Sequence, residues 1–232
     1  MRILAMDSAA GSVSAAVLED EQILCEAAAD TGRNASAELL PAVDFVLRTA
    51  GLRPAEVDLF ACTAGPGSFT GLRIGIATAK GFCLALGKPL AGVSTLKALA
   101  CNPDRPGIRI CSMIDARKGQ VYAALYETDR CGKLRQLHPD GLFDAMAYVR
   151  NLGSGVLFVG SGAGRYAEEI RSFLAPDAAI AADRDHRVRA SAVGRLGLQG
   201  YRQGNLIDPI AFAPVYLRAS DAEQKPYEPE RS

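Results

Sequence analysis

The chain has 232 residues, 26 basic side chains against 26 acidic ones, and apolar residues at about half of all positions. That is enough to bury a sizeable core, and zero net charge leaves no long-range field to gather nucleic acid or an anionic membrane. Any such partner must be met locally or through another subunit.

Taken in chain order, Arg2 to Met6 reads as a strand, Gly11 marks a turn, Val13 to Leu18 alternates as a second strand, and Ile23 to Ala29 forms a third. A helix is expected from about Ser36 to Ala50, with Leu39, Leu40, Val43, Val46, Leu47 and Ala50 inward and Phe45 stranded beside Glu38 and Thr49. Pro41 implies either a kink or a start only at about Glu38. The run "DLFACT" (58–63) is a strand, Ser68 to Leu86 a long helix, "PLAGV" (89–93) a short strand, and Ser94 begins another helix. The order is βββαβαβα.

"CNPDRPG" (101–107) carries the prolines and glycine of a linker. The order then restarts, with strands Ile108 to Ile114, Gln120 to Tyr126 and a weaker one near Leu134, and a helix at Leu142 to Asn151. Strand "VLFVG" (156–160), a helix from Gly164 to Leu174, a strand near Ala178 to Ala181 and a helix from Ser191 to Gln203 complete it. The opening hairpins even share residues. "DSAAGSVSAAVLE" (7–19) and "DARKGQVYAALYE" (115–127) align without a gap and agree at Asp7/Asp115, Gly11/Gly119, Val13/Val121, Ala15/Ala123, Ala16/Ala124 and Glu19/Glu127. Two α/β lobes are therefore expected, at 1–103 and 104–218, each a mixed sheet with flanking helices and facing each other across a cleft. Residues 219–232 have the charge and proline content of a disordered tail.

"MRILAMDSAA" has one basic residue and a short apolar run broken by Asp7, which reads as neither signal peptide nor membrane span, so a cytoplasmic location is expected. Six cysteines lie among apolar neighbours, with no ligand-like spacing to the two histidines, His138 and His186, and read as buried thiols.

"TAGPGSFTGLRIGIATAKGF" (63–82) is a glycine and proline turn feeding a helix, whose first amides can hold an anion or simply be capped. With Asp7, "DARKGQVYAALY" (115–126) and "PVYLR" (214–218), it resembles the TsaB (YeaZ) family over nearly the whole chain up to Arg218. The resemblance implies the duplicated actin, hexokinase and Hsp70 fold with RNase H-like lobes. It also implies a role in threonylcarbamoylation of the adenosine beside the anticodon in tRNAs reading codons that begin with A. In that system the TsaD subunit transfers the group, and the TsaB family supports it as a non-catalytic paralogue. The expected partners are a TsaD-like paralogue and a TsaE-like ATPase, with a homodimer when alone and tRNA met only through the complex. No cofactor of its own is expected, although ATP or ADP can sit at the joint interface. The catalytic paralogue carries an HxxxH metal motif, whereas the corresponding "GRNASAELLPAVDF" (32–45) contains no histidine. No catalytic residue and no metal ligand is assigned.

Other candidates keep two readings. Asp7 and Asp115 can share a magnesium ion through water, or each can cap its own hairpin turn. The turns at Gly11 and Gly119 can hold phosphates. Gly160 and Gly162 in "VGSGAGRY" stand where this superfold contacts adenosine, or serve close strand-to-helix packing. "DRDHRVR" (183–189) reads as a solvated loop. A stand-alone ATP hydrolase or kinase using Asp7 and Asp115, or a metallopeptidase, is the alternative class.

The long helix is more informative. At about 100° per residue, Leu72, Gly75, Ile76, Ala79, Phe82, Cys83 and Leu86 fall on one face, and Ile74, Ala77, Gly81, Leu84 and Ala85 fall opposite. Arg73 and Lys80 share one narrow strip. A helix apolar on opposite sides must be buried twice, so Phe45, Arg73, Ile74, Ala77, Lys80, Gly81, Leu84 and Ala85 are the expected partner-binding residues.

Overall fold

A computed structural model describes residues 1–30, 35–103 and 105–218; the tail at 219–232, read above as disordered, lies outside the described residues. The first half runs β1 (Arg2–Asp7), β2 (Ser12–Glu19), β3 (Gln22–Asp30), α1 (Ala35–Thr49), β4 (Leu59–Gly65), α2 (Phe69–Leu86), β5 (Leu90–Ser94) and the short α3 (Thr95–Ala100). The second runs β6 (Arg109–Asp115), β7 (Gln120–Thr128), β8 (Leu134–Asp144), α4 (Ala145–Leu152), β9 (Val156–Val159), α5 (Ser161–Arg165), α6 (Ala167–Leu174), β10 (Ala179–Ile180) and α7 (Ala190–Arg202). The sheets are ordered β3-β2-β1-β4-β5 and β8-β7-β6-β9-β10, which is one topology used twice.

The shared hairpin sequence has a backbone cause. Asp7 Oδ1 accepts the amide of Ala9 at 3.1 Å, and Asp115 Oδ1 accepts that of Arg117 at 2.9 Å, so both aspartates close the same side-chain turn. Gly11 and Gly119 follow at φ +85° and +76°, where a Cβ is disfavoured.

The structure shifts several expected boundaries. Leu142 and Phe143 continue the ladder of β8, opposite Tyr122 and Val121, so the helix expected from Leu142 begins only after Asp144, whose carboxylate accepts the Ala147 amide at 2.9 Å. The helix expected from Gly164 starts at Ser161 and breaks at Tyr166. Helix α1 runs from Ala35 straight through Pro41. Leu40, expected inward, is 53% exposed, because it lies about 100° around the helix from Leu39, at the margin of the apolar arc.

Helices α1 and α2 cover the outer face of the first sheet, where Leu39, Val43, Val46, Ile76, Ala79 and Cys83 join Leu4, Val17 and Phe60. Helices α4 and α6 cover the outer face of the second, through Tyr148, Val149, Ile170 and Leu174. The inner faces share one core, because the closing helices are exchanged. Helix α7 of the second half lies on β1, β2, β4 and β5, while α3 of the first half lies on β6 and β7. Val193 and Leu198 of α7 thus share a cluster with Ala61, Leu96, Ala124 and Tyr126. Glycines let α7 approach that closely, since a Cβ on Gly197 would stand 2.7 Å from the Ala61 Cβ.

Gly197→Val should therefore destabilise by about 1–3 kcal/mol through overpacking, and both halves should lose structure in one urea transition. Gly81→Ala, whose Cβ enters open space, should leave the transition unchanged or slightly later.

Candidate functional site

Two features stand out, a cleft between the lobes and the outward face of α2. The cleft holds about 610 Å³ and is lined by Gly11, Gly67, Ser68, Asp115, Arg117 and Arg218, among others. Its walls are the two hairpin turns and the start of α2. The Ser68 amide donates to Ala9 O at 2.8 Å, the Ser8 hydroxyl donates to Gly71 O at 2.8 Å, and Ser68 Oγ caps the Gly71 amide at 3.3 Å. A Cβ on Gly67 would stand 2.5 Å from Ala9 O, so glycine is required for the helix start to reach the hairpin.

The two repeated aspartates are not brought together as a cation site. Asp7 is buried beneath the cleft at 1% exposure, with Oδ1 taking the Thr63 hydroxyl at 2.6 Å and Oδ2 without a partner. Burial raises its carboxyl to about 6, against the lowering effects of Thr63 and the backbone amides of Ala9 and Ser8. Asp115 does line the cleft, where its Oδ2 lies 3.6 Å from the guanidinium of Arg165. Gly11 stands beside it, and Gly119 lies in the turn above. Gly160 and Gly162 instead press on Met113 of β6, where Gly160 has no room for a Cβ and Gly162 only a tight one, and Ser161 between them reaches the cleft.

Among the described residues no three histidine, cysteine, aspartate or glutamate side chains are grouped so as to hold a metal. His138 Nδ1 meets Tyr148 Oη at 3.3 Å, and His186 Nδ1 accepts the Gly160 amide at 3.0 Å, which requires a neutral ring at that nitrogen. Burial lowers the His186 pKa, with Asp183 and Asp185 opposing. A second cavity of about 550 Å³ lies between β3 and α7. Its Arg189 and Arg202 are paired with Asp185 and Glu21, and its Glu26 with Ser191.

Helix α2 divides as its periodicity demands. Leu72, Gly75, Ile76, Ala79 and Cys83 are buried, and Phe82 stacks on Phe60 at 5.4 Å. Arg73, Ala77, Gly81, Leu84 and Ala85 are exposed, Leu84 at 57%, while Ile74 is half-buried against the outer core. By length and composition α2 is the one described helix apolar enough to cross a membrane, yet only 33% of it is buried within the chain. Phe45 on the neighbouring α1 is 56% exposed. The charged strip is engaged internally, which periodicity could not reveal. Lys80 Nζ donates to Ile210 O and Phe212 O, each at 3.1 Å, and Arg73 Nε donates to the Tyr216 hydroxyl at 2.9 Å. Tyr216 of "PVYLR" thus meets Arg73, and the carbonyls that hold Lys80 lie just before that stretch.

The repeated topology, the exchanged helices and the cleft define a duplicated two-lobed protein of the actin, hexokinase and Hsp70 class. Component A of the (R)-2-hydroxyglutaryl-CoA dehydratase of Acidaminococcus fermentans has this fold at 10% identity, with a TM-score of 0.51 over 87% of this chain and 99% of that one. Residues 26–183 match the family described as "TsaD: tRNA N6-adenosine threonylcarbamoyltransferase". The tRNA threonylcarbamoyladenosine biosynthesis protein TsaB of Bacillus subtilis is 31% identical over 228 residues, 97% of either chain. YeaZ from Pseudomonas aeruginosa superposes with a TM-score of 0.78 at 26% identity, over 93% of this chain and 99% of that one. The chain belongs to the TsaB (YeaZ) family.

The Asp7 environment gives a pH signature. A carboxyl raised from 3.8 to about 6 holds its proton in the folded state after the unfolded chain has released it, so its contribution to stability is full below about pH 4 and is lost as pH rises to about 6. Relative to wild type, Asp7→Asn should gain about 2 kcal/mol between pH 4 and pH 7, at about 1.4 kcal/mol per unit over the range between the two pKa values. Paired urea unfolding at the two pH values measures the difference.

Proposed function

We propose that the chain is a non-catalytic scaffold that seats the outward face of α2 on a TsaD-like paralogue and so activates threonylcarbamoylation of tRNA. As a TsaB-family member it takes part in tRNA threonylcarbamoyladenosine biosynthesis. The observation that carries the scaffold reading is the exposed row of Ala77, Gly81, Leu84 and Ala85 on an apolar helix whose other face already rests on its own sheet. Small residues at 77, 81 and 85 let another helix approach closely, and Leu84 with Ile74 adds apolar area.

The paralogue is favoured as occupant because the family match through residues 26–183 includes both α1 and α2. A protein of that family carries the corresponding helix pair, so the two can meet face to face about a pseudo-two-fold axis. A second copy of this chain fits the same face when the paralogue is absent. A TsaE-like ATPase, and ATP or ADP at the joint interface, are further parts of the reading. Stand-alone ATP hydrolysis is disfavoured by the geometry, since Asp7 is enclosed and Asp115 alone of the pair reaches the cleft.

Placing a charge at the centre of this face should be severe, because an unpaired buried charge costs about 3–5 kcal/mol, more than a hundredfold in affinity. Gly81→Arg and Ala77→Glu should each abolish binding to the paralogue and tRNA modification in a reconstituted system while leaving the melting temperature within a few degrees. Ile76→Glu, on the buried face, should instead unfold the chain. Normal assembly by both outward variants would refute the docking face, and ATP turnover by the pure protein, lost in Asp115→Ala, would favour the enzyme reading.

A further inference from the structure

Residues 207–218 form a strap that joins the two lobes across the edge of α2. The Ile207 amide donates to Leu90 O at 3.0 Å on the edge of the first sheet, and Phe212 is buried in the core beneath α2. With Lys80 holding the carbonyls of Ile210 and Phe212, this first half of the strap is anchored by packing and by charge-assisted hydrogen bonds. The second half is held differently. The Val215 amide donates to Ala64 O at 2.8 Å, the Tyr216 ring stacks on Phe69 at 4.3 Å, and its hydroxyl accepts from Arg73. Arg218 then crosses to the second lobe and donates to Ala116 O at 2.7 Å and to Gln120 Oε1. Its guanidinium ends on the β6–β7 turn, in the wall of the cleft.

The weak point is Arg73. Its guanidinium is exposed, its partner is a neutral phenol, and among the described residues it has no carboxylate partner. A carboxylate from outside makes a charge-assisted, bidentate pair with a guanidinium that is about twice as strong as a bond to a neutral acceptor. Arg73 also sits one position before Ile74, at the margin of the docking face.

We propose that residues 213–218 are a releasable latch between the lobes, opened from the α2 face: a carboxylate of the docking partner takes Arg73 from Tyr216, and Arg218 leaves the β6–β7 turn. The first half of the strap stays in place because Phe212 is buried in the core, whereas Leu217 of the second half packs only partly buried at the edge of the shared core. Docking at α2 then sets the freedom of the β6–β7 turn, and with it the shape of that wall of the cleft, while the shared core stays in place. This rests on α2 being the docking face, but the latch itself exists without a partner and can be tested alone.

Hydrogen exchange measured by mass spectrometry separates the two claims. In the free chain, Arg218→Gln should speed exchange about tenfold in peptides covering 213–218 and the turn at 115–122, with 207–212 unchanged. Arg73→Gln, at an exposed position that leaves the core intact, should give the same pattern without touching the second lobe directly. Saturating the wild-type chain with the TsaD-like paralogue should reproduce it while protecting 74–85. If Arg73→Gln leaves 213–218 and 115–122 at wild-type rates, the latch is wrong whatever the partner does. If the paralogue protects 74–85 but 213–218 does not quicken, docking does not open the latch. If both variants quicken exchange but the paralogue fails to bind, the docking face fails and the latch stands as an interlobe tie only.

Discussion

A sheet can bury only one side of a helix, and α2 has two apolar sides. Its inner side takes the covering role that every α/β lobe needs, through Leu72, Ile76, Ala79 and Cys83. On the outer side only Ile74, at its margin, is partly buried by this chain, and Ala77, Gly81, Leu84 and Ala85 stay exposed. Leaving Leu84 and a row of small residues in water forgoes about 25 cal/mol for each Å² that a partner would cover. The strap strengthens this division, because it takes up Arg73 and Lys80 at the margin and leaves the centre of the outer face open.

The cleft tells a complementary story. In a two-lobed fold the hairpin turns are where phosphates and cations are held, and here those turns are largely satisfied from within. Asp7 closes its own turn and takes Thr63, Asp115 closes its turn beside Arg165, the Ser68 amide just before α2 is tied to the first hairpin, and the Gly71 amide is capped by Ser68. Burial keeps Asp7 well above an ordinary carboxylate, a poor starting point for binding a cation in solvent. The two-lobed architecture is thus kept while most polar groups of its turns hold their own loops. What it still supplies is a rigid platform, in which exchanged helices and close glycine packing fuse the lobes through one shared core.

Much of this was legible in the sequence, for identifiable reasons. Strand alternation and the thirteen-residue repeat disclosed the duplication, because two local features, an aspartate that accepts the amide two residues on and a left-handed glycine, recur in both hairpins even though Arg117 and Lys118 are also left-handed where Ala9 and Ala10 are not. The two-sided character of α2 follows from 100° steps, which depend on nothing beyond the helix itself. The misses are tertiary. No local pattern announces that α3 and α7 exchange sheets, that Leu142 and Phe143 extend a strand because Tyr122 and Val121 stand opposite, or that Lys80 is held by carbonyls 130 and 132 positions away. Asp7 was readable as a turn former, but not its burial, which decides whether it can serve the cleft.

The most direct measurement is site-specific photo-crosslinking in the assembled system, with the photoreactive residue placed once at Gly81 and once at Phe173. Both positions are exposed, but they lie on opposite outer layers of the molecule. A docking face on α2 predicts a covalent adduct to the TsaD-like paralogue from position 81 and none from position 173. An adduct from 173 alone, or equal yields from both, would contradict it.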